Sequence, residues 1–254
     1  MPALARPLVF LHGWSMSGAV FDDALRRLSR DFRCYAPDFP GHGAVPGRPL
    51  TIDGCAQVLE DLLVSQDLAG AVLIGWSMGA TVAWHHAARF GTARTAGIVS
   101  LDMSPRTVND DDWQLGLRGQ TAASAAAQTA WFRTHWPKAA EMVAAGMFGA
   151  QGTSPLMSAA QVEAQILTRD PEAMADMWAS LTSADLRADI ARLQVPMLVI
   201  HGAQSKLYSR DTALWLTRTA PHAQRVEFLR AGHSPHLESP EDFADVLVEF
   251  SRAL

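Results

Sequence analysis

Ala71-Val72-Leu73-Ile74-Gly75-Trp76-Ser77-Met78-Gly79 is the stretch whose reading decides how this chain folds. Four apolar residues read as a buried strand. The G-x-S-x-G turn follows, and then a helix-like run from Ala80 to Phe90. A strand, a sharp turn and a helix form the setting in which a serine becomes an exposed nucleophile. The serine must sit on a strained turn so that its hydroxyl projects into a cleft, and side chains at the two flanking glycines would collide with the neighbouring strand and helix. The helix N-terminus lends partial positive charge to an oxygen that turns negative during acyl transfer. Ser77 is the candidate nucleophile.

Outward from this turn, apolar strands alternate with helical segments. Leu8 to Leu11 reads as a strand ending in His12-Gly13, followed by a helix near Phe21 to Arg30 and a strand over Arg33 to Pro37. Thr51 to Gln66 places Ile52, Cys55, Ala56, Leu59, Leu62 and Leu63 on one helical face. Gly97 to Leu101 is a further strand, ending at Asp102. This alternation predicts right-handed βαβ crossovers and a mostly parallel sheet covered on both faces, an α/β fold. It stops after Pro105, and the chain is helical in pattern until about Asp185. It then resumes with the strand Val195 to Ile200, a helix over Asp211 to Thr219, a strand over Arg225 to Leu229 and a closing helix over Pro240 to Ala253. The expected division is a core of residues 1–109 and 188–254 with a helical cap, residues 110–187, over the C-terminal ends of the strands.

The 254 residues suffice for a sizeable core, and a formal charge of −5 with no run of basic residues gives no electrostatic case for nucleic acid. The two cysteines, Cys34 and Cys55, match no metal spacing and fit a reduced, cytoplasmic compartment. Met1 to Arg6 lacks the layout of a signal peptide, and no apolar stretch approaches the roughly 20 residues of a membrane span.

A nucleophilic serine needs a base. Among 9 histidines, His233 in Ala231-Gly232-His233-Ser234-Pro235 follows a late strand, in the chain order nucleophile first and base near the end. His236, in the same loop, is its competitor. His85 and His86 lie within the helix after the turn, and His201 ends a strand where it is expected to order a turn. No histidine pair or carboxylate cluster has metal-ligand spacing, so neither metal nor cofactor is expected. Two backbone amides are needed to hold an oxyanion: that of Met78, directly after the nucleophile, and that of Trp14, in the loop after the first strand.

Leu11-His12-Gly13-Trp14, Asp38-Phe39-Pro40-Gly41-His42-Gly43, Gly75 to Gly79 and Gly232-His233-Ser234-Pro235-His236-Leu237-Glu238-Ser239-Pro240 together resemble the α/β-hydrolase superfamily. Only the helical middle is unmatched. Within that superfamily the Trp after His-Gly and the Gly-Trp-Ser-Met-Gly turn are similar to the pimeloyl-[acyl-carrier protein] methyl ester esterases. The resemblance implies a catalytic triad whose acid follows the penultimate strand in a pattern like His-Gly-x-x-Asp. Here that segment reads His201-Gly202-Ala203-Gln204-Ser205, and serine cannot hold a charge against an imidazolium. Two replacements stand: Asp211, at the start of the next helix, and Asp102, at the end of the strand that supplies the acid in some members. Asp102 is the favoured one.

Met16, Met103, Trp131, Phe132, Phe148, Trp178 and Leu207 are the expected lining of an apolar acyl pocket, alongside Trp136, Met142, Met147, Met174 and Met177 of the middle segment. Arg118, Arg133, Lys138, Arg169 and Arg187 could offer a basic face to an acidic acyl-carrier protein, although neighbouring carboxylates point to a mixed, solvated surface. The expected activity is hydrolysis of a small-molecule carboxylic ester through an acyl-enzyme. Alternatives are a cofactor-free perhydrolase, a thioesterase, a C–C hydrolase, or a ligand-binding receptor on the same scaffold.

Overall fold

The computed structural model describes residues 6–43 and 47–254; the N-terminal reading over Met1 to Ala5 lies outside them. Six strands form one parallel sheet in the order β2-β1-β3-β4-β5-β6. They are β1 (Pro7–Leu11), β2 (Arg33–Tyr35), β3 (Ala71–Trp76), β4 (Thr95–Leu101), β5 (Met197–Gly202) and β6 (Ala223–Phe228). The central strands β1, β3 and β5 are buried along their whole length, which is why they read as continuous apolar runs rather than alternating ones. The edge strands β2 and β6 are half-buried and correspondingly more polar.

The helices around the sheet are α1 (Asp22–Leu28), α2 (Ile52–Ser65), α3 (Met78–Phe90), α9 (Arg210–Thr219), the short α10 (Pro235–Glu238) and α11 (Pro240–Ala253). From β1 the chain crosses one way to β2 and then doubles back past β1 to β3. Right-handed crossovers in opposite directions put their helices on opposite faces. Accordingly α1 packs with α11 on one face, and α2 packs with α3 on the other. In α11, Phe243, Ala244, Leu247 and Phe250 form a buried stripe at helical spacing. A single turn of 3-10 helix, Gly18–Phe21, precedes α1, so the helix expected from Phe21 begins one residue later and ends two residues sooner.

Between β4 and β5 the chain forms α4 (Ala122–Thr134), α5 (Trp136–Gly146), α6 (Ala159–Leu167), α7 (Pro171–Ser183) and α8 (Arg187–Arg192). Among the described residues this stretch contains isolated β-bridges but no strand. Helices α4 and α7 pack together, as do α5 and α6. The insertion is tied to the core through Trp14, whose indole N–H donates to Met174 O at 3.0 Å and whose ring packs on Phe132, Trp136 and Trp178. The strand order reverses between β1 and β3, and in an open parallel sheet that reversal opens a crevice at the strands' C-terminal ends.

Candidate active site

The loops after β1, β3, β4, β5 and β6 meet at this crevice because of the strand register. Leu11 pairs with Gly75, Trp76 with Leu101, and Leu101 with Ile200. Ser77, Asp102 and His201 therefore emerge from three adjacent strand ends.

Ser77 adopts φ 53° and ψ −121°, a conformation that is strained for any residue with a side chain. Its surroundings hold it there. The Ser77 N–H donates to Leu101 O at 3.0 Å, and Ala80 N–H donates back to Ser77 O at 2.8 Å. A Cβ at Gly75 would stand 2.4 Å from Ala80 N, and one at Gly79 would stand 2.0 Å from Leu11 O. Both glycines are thus demanded by close approach of backbone. The first turn of α3 leaves the Met78 amide with no intrahelical acceptor.

Asp102 closes β4 with φ 44° and is buried. Its carboxylate accepts three hydrogen bonds. His233 Nδ1 donates to Oδ2 at 2.7 Å, Ser205 Oγ donates to the same oxygen at 2.6 Å, and His201 Nδ1 donates to Oδ1 at 2.8 Å. Burial pushes this carboxyl upward, but the hydrogen bonds from His201 and His233 outweigh it and hold the group below the usual carboxylate range. Asp211 is exposed in the first turn of α9, whose N-cap is Ser209, as a helix-start residue would be. His201, expected only to order a turn, instead touches Asp102.

The His233 loop is fixed from two sides. The Trp76 indole N–H donates to His233 O at 2.8 Å. The Glu238 carboxylate accepts from the amides of Gly232 and Gly149, both at 2.7 Å, and so ties this loop to the insertion. A Cβ at Gly232 would lie 2.4 Å from Gly149 N, so that glycine admits the insertion's backbone. His236 faces away from the crevice, packed on Phe21, Trp76 and Phe243, with neither ring nitrogen hydrogen-bonded. Burial lowers its pKa to about 3, which keeps it neutral.

Ser77 and His233 line a common cavity of about 260 Å³ with Gly13, Trp14 and Trp76. Of the expected pocket residues, Phe132, Met142, Met147, Trp178 and Leu207 line it. Met16, Met103, Trp131, Trp136, Phe148, Met174 and Met177 do not. Met16 and Phe148 are packed in the core, Trp131 stacks on His135, and Met103 receives the Tyr208 hydroxyl at 3.1 Å. Leu117, Arg118, Gln120, Gln128, Val143, Gly146, Leu181 and Tyr208 complete the lining unforeseen. Helical periodicity marks which residues face inward, but it does not say whether a neighbouring helix or a void receives them.

The cations of the insertion are mostly spoken for. Arg133 pairs with Glu172 and Asp176, Lys138 with Glu141, and Arg187 with Asp185. Arg169 donates to the backbone carbonyls of Ser15 and His42. Arg118 lines the cavity, and its guanidinium donates to Tyr208 O at 3.3 Å.

A family model described as alpha/beta hydrolase family matches residues 8–246. The chain belongs to this family. The hydrolase is 31% identical over 243 residues to the pimeloyl-[acyl-carrier protein] methyl ester esterase of Chromobacterium violaceum, covering 95% of this chain and 92% of that protein. To the protein of the same name from Nitrosomonas europaea it is 30% identical, covering 93% and 92%. Among solved structures, an esterase from Exiguobacterium antarcticum superposes on the hydrolase with a TM-score of 0.89 at 19% identity, covering 98% of this chain and 92% of that one. A thermophilic esterase from Thermogutta terrifontis does so with 0.84 at 23% identity, covering 98% and 90%. At those identities the structural likeness speaks for the fold.

Proposed function

We propose that this hydrolase cleaves a carboxylic ester through an acyl-enzyme, with Ser77 as nucleophile, His233 as base and Asp102 as acid. The observation that carries the reading is the buried Asp102–His233 hydrogen bond at 2.7 Å, made by a ring that lines the same cavity as Ser77. The full-length likeness to named ester hydrolases supports it. A carboxylate accepting from Nδ1 fixes the tautomer that leaves Nε2 free to take the serine proton. Ser77 attacks the carbonyl carbon while His233 takes its proton. The developing oxyanion is held by the amides of Met78 and Trp14. His233 then returns the proton to the departing alcohol, and water, activated by the same ring, frees the acid and restores Ser77.

Residues 110–187 act in this reading as a cap. Its Phe132, Met147, Trp178 and Leu181 give the cavity an apolar wall suited to an aliphatic acyl chain. The cavity volume fits a compact acyl group. Docking of an acidic carrier would rest on Arg118, because Arg133, Lys138 and Arg187 are already matched by carboxylates.

Release of a chromogenic alcohol from a short acyl ester tests the reading. The expected result is a burst equal to the enzyme concentration followed by steady turnover, with both lost in Ser77→Ala. Turnover unchanged in Ser77→Ala would refute it. Comparing the methyl ester of a free acid with that of the same acyl group on a carrier protein measures what the carrier adds.

A further inference from the structure

We propose that His201 and Ser205 are positioning residues of the reaction: together they aim the Asp102 carboxylate at His233 and set how strongly its charge is felt there. This rests on the proposed triad. The Asp102 backbone narrows the choice of χ1 rotamer but does not by itself fix where the carboxylate oxygens point. The donors do. His201 Nδ1–H holds Oδ1 at 2.8 Å, so the carboxylate plane is pinned on the side away from His233. Ser205 Oγ–H holds Oδ2 at 2.6 Å, the oxygen that also receives His233 Nδ1–H at 2.7 Å.

Both donors arise from the sheet. Leu101 pairs with Ile200, so His201 lies beside Asp102 across the β4–β5 ladder. Ser205 is placed by the turn after β5, in which its own amide donates to Gly202 O and its hydroxyl accepts from the amides of Leu207 and Tyr208. A hydroxyl accepting from two amides has its proton left to give, and Asp102 receives it.

A purely structural histidine would satisfy a buried polar group and nothing more. The geometry here implies a further effect. Each donor draws charge from the carboxylate, and what remains stabilises the His233 imidazolium. The titratable groups around the carboxylate are His201 from β5, His233 from the loop after β6 and Tyr208 from the loop after β5. Tyr208 is kept protonated by burial and by the charge of Asp102. Lys206, on the same loop, turns away to donate to Ala145 O at 3.1 Å.

The experiment measures kcat, KM and the pH profile of kcat/KM for His201→Phe, His201→Asn and Ser205→Ala, with Asp102→Asn as reference. His201→Phe is expected to lower kcat by about 10- to 100-fold, the worth of one hydrogen bond to a charged group. KM should change little, and the acidic limb of the profile should move to higher pH, because the carboxylate now bears harder on His233. Ser205→Ala should move that limb the same way by less. His201→Asn, whose Nδ2–H lies as many bonds from Cα as histidine Nδ1, should return kcat and limb towards wild type. An unmoved limb with kcat within about twofold in folded His201→Phe and Ser205→Ala would overturn the proposal. If His201→Phe does not fold, an unmoved limb in Ser205→Ala overturns it alone. Should Asp102→Asn itself keep full turnover, the triad reading falls and this proposal with it. A crippled Asp102→Asn beside unchanged His201 and Ser205 variants removes this proposal only.

Discussion

Asp102 is a buried carboxylate on a left-handed backbone, two features that each cost stability and that three donors offset. If it serves as the acid, Asp102→Asn should preserve the fold and cut turnover by up to about 10⁴-fold, the scale of the corresponding change in serine proteases. Asp211→Asn, on an exposed helix turn, should stay within about threefold, since surface changes of this kind are worth a few tenths of a kcal/mol. Steady-state kinetics on the two variants separates them, and the reverse ranking would move the acid to the α9 side. At this scale much was legible in the sequence. The strained turn at Ser77 was legible through glycines that the close backbone contacts require, and the missing carboxylate at Ser205 directed attention to Asp102, which the fold sets against His233. The hydrogen bonds of His201 and Ser205 to that carboxylate were not legible. They depend on β4 lying beside β5, and strand order is a long-range property that no local pattern encodes.

The elements pose the question of what the helical insertion does. Trp131 and Phe132 are neighbours on α4 yet have different surroundings: Phe132 lines the cavity against Trp14 and Trp178, while Trp131 stacks on His135. Phe132→Leu should therefore shift the ratio of kcat/KM between long and short acyl esters by about 10-fold, the worth of a change in pocket volume of this size. Trp131→Ala should leave that ratio in place. A series of alkyl esters of increasing acyl length provides the check, and equal effects from both variants would deny the cavity its part in chain selection. The core strands were readable because strands covered on both faces are apolar throughout. The turn of helix α10 was not, because four residues carry no periodicity. In α4 the alanine-rich sequence Ala122 to Ala127 conveys helix propensity but little about which face meets the cavity.

For the whole molecule, buried neutral histidines govern how stability follows pH. Burial lowers His12 to about 4 and His236 to about 3, and lowers His42 and His86 as well. An unfolded imidazole takes up a proton near pH 6.5 while these remain neutral in the fold. The native state is thus favoured at high pH and loses ground as pH falls through about 6.5, by about 2 kcal/mol at pH 5 for each fully buried ring. Urea unfolding at pH 7 and pH 5 should show this fall, and His236→Phe should reduce it by about one such increment. A midpoint that does not change between the two pH values would mean that these rings are reached by protons in the native state. Ser77, held at a strained turn above the sheet, is proposed to form the covalent intermediate. The most direct test is peptide mapping of the enzyme after reaction with a fluorophosphonate probe. A single adduct on the peptide containing Ser77, absent in Ser77→Ala, is the predicted result, and an adduct on another serine that persists in Ser77→Ala would contradict it.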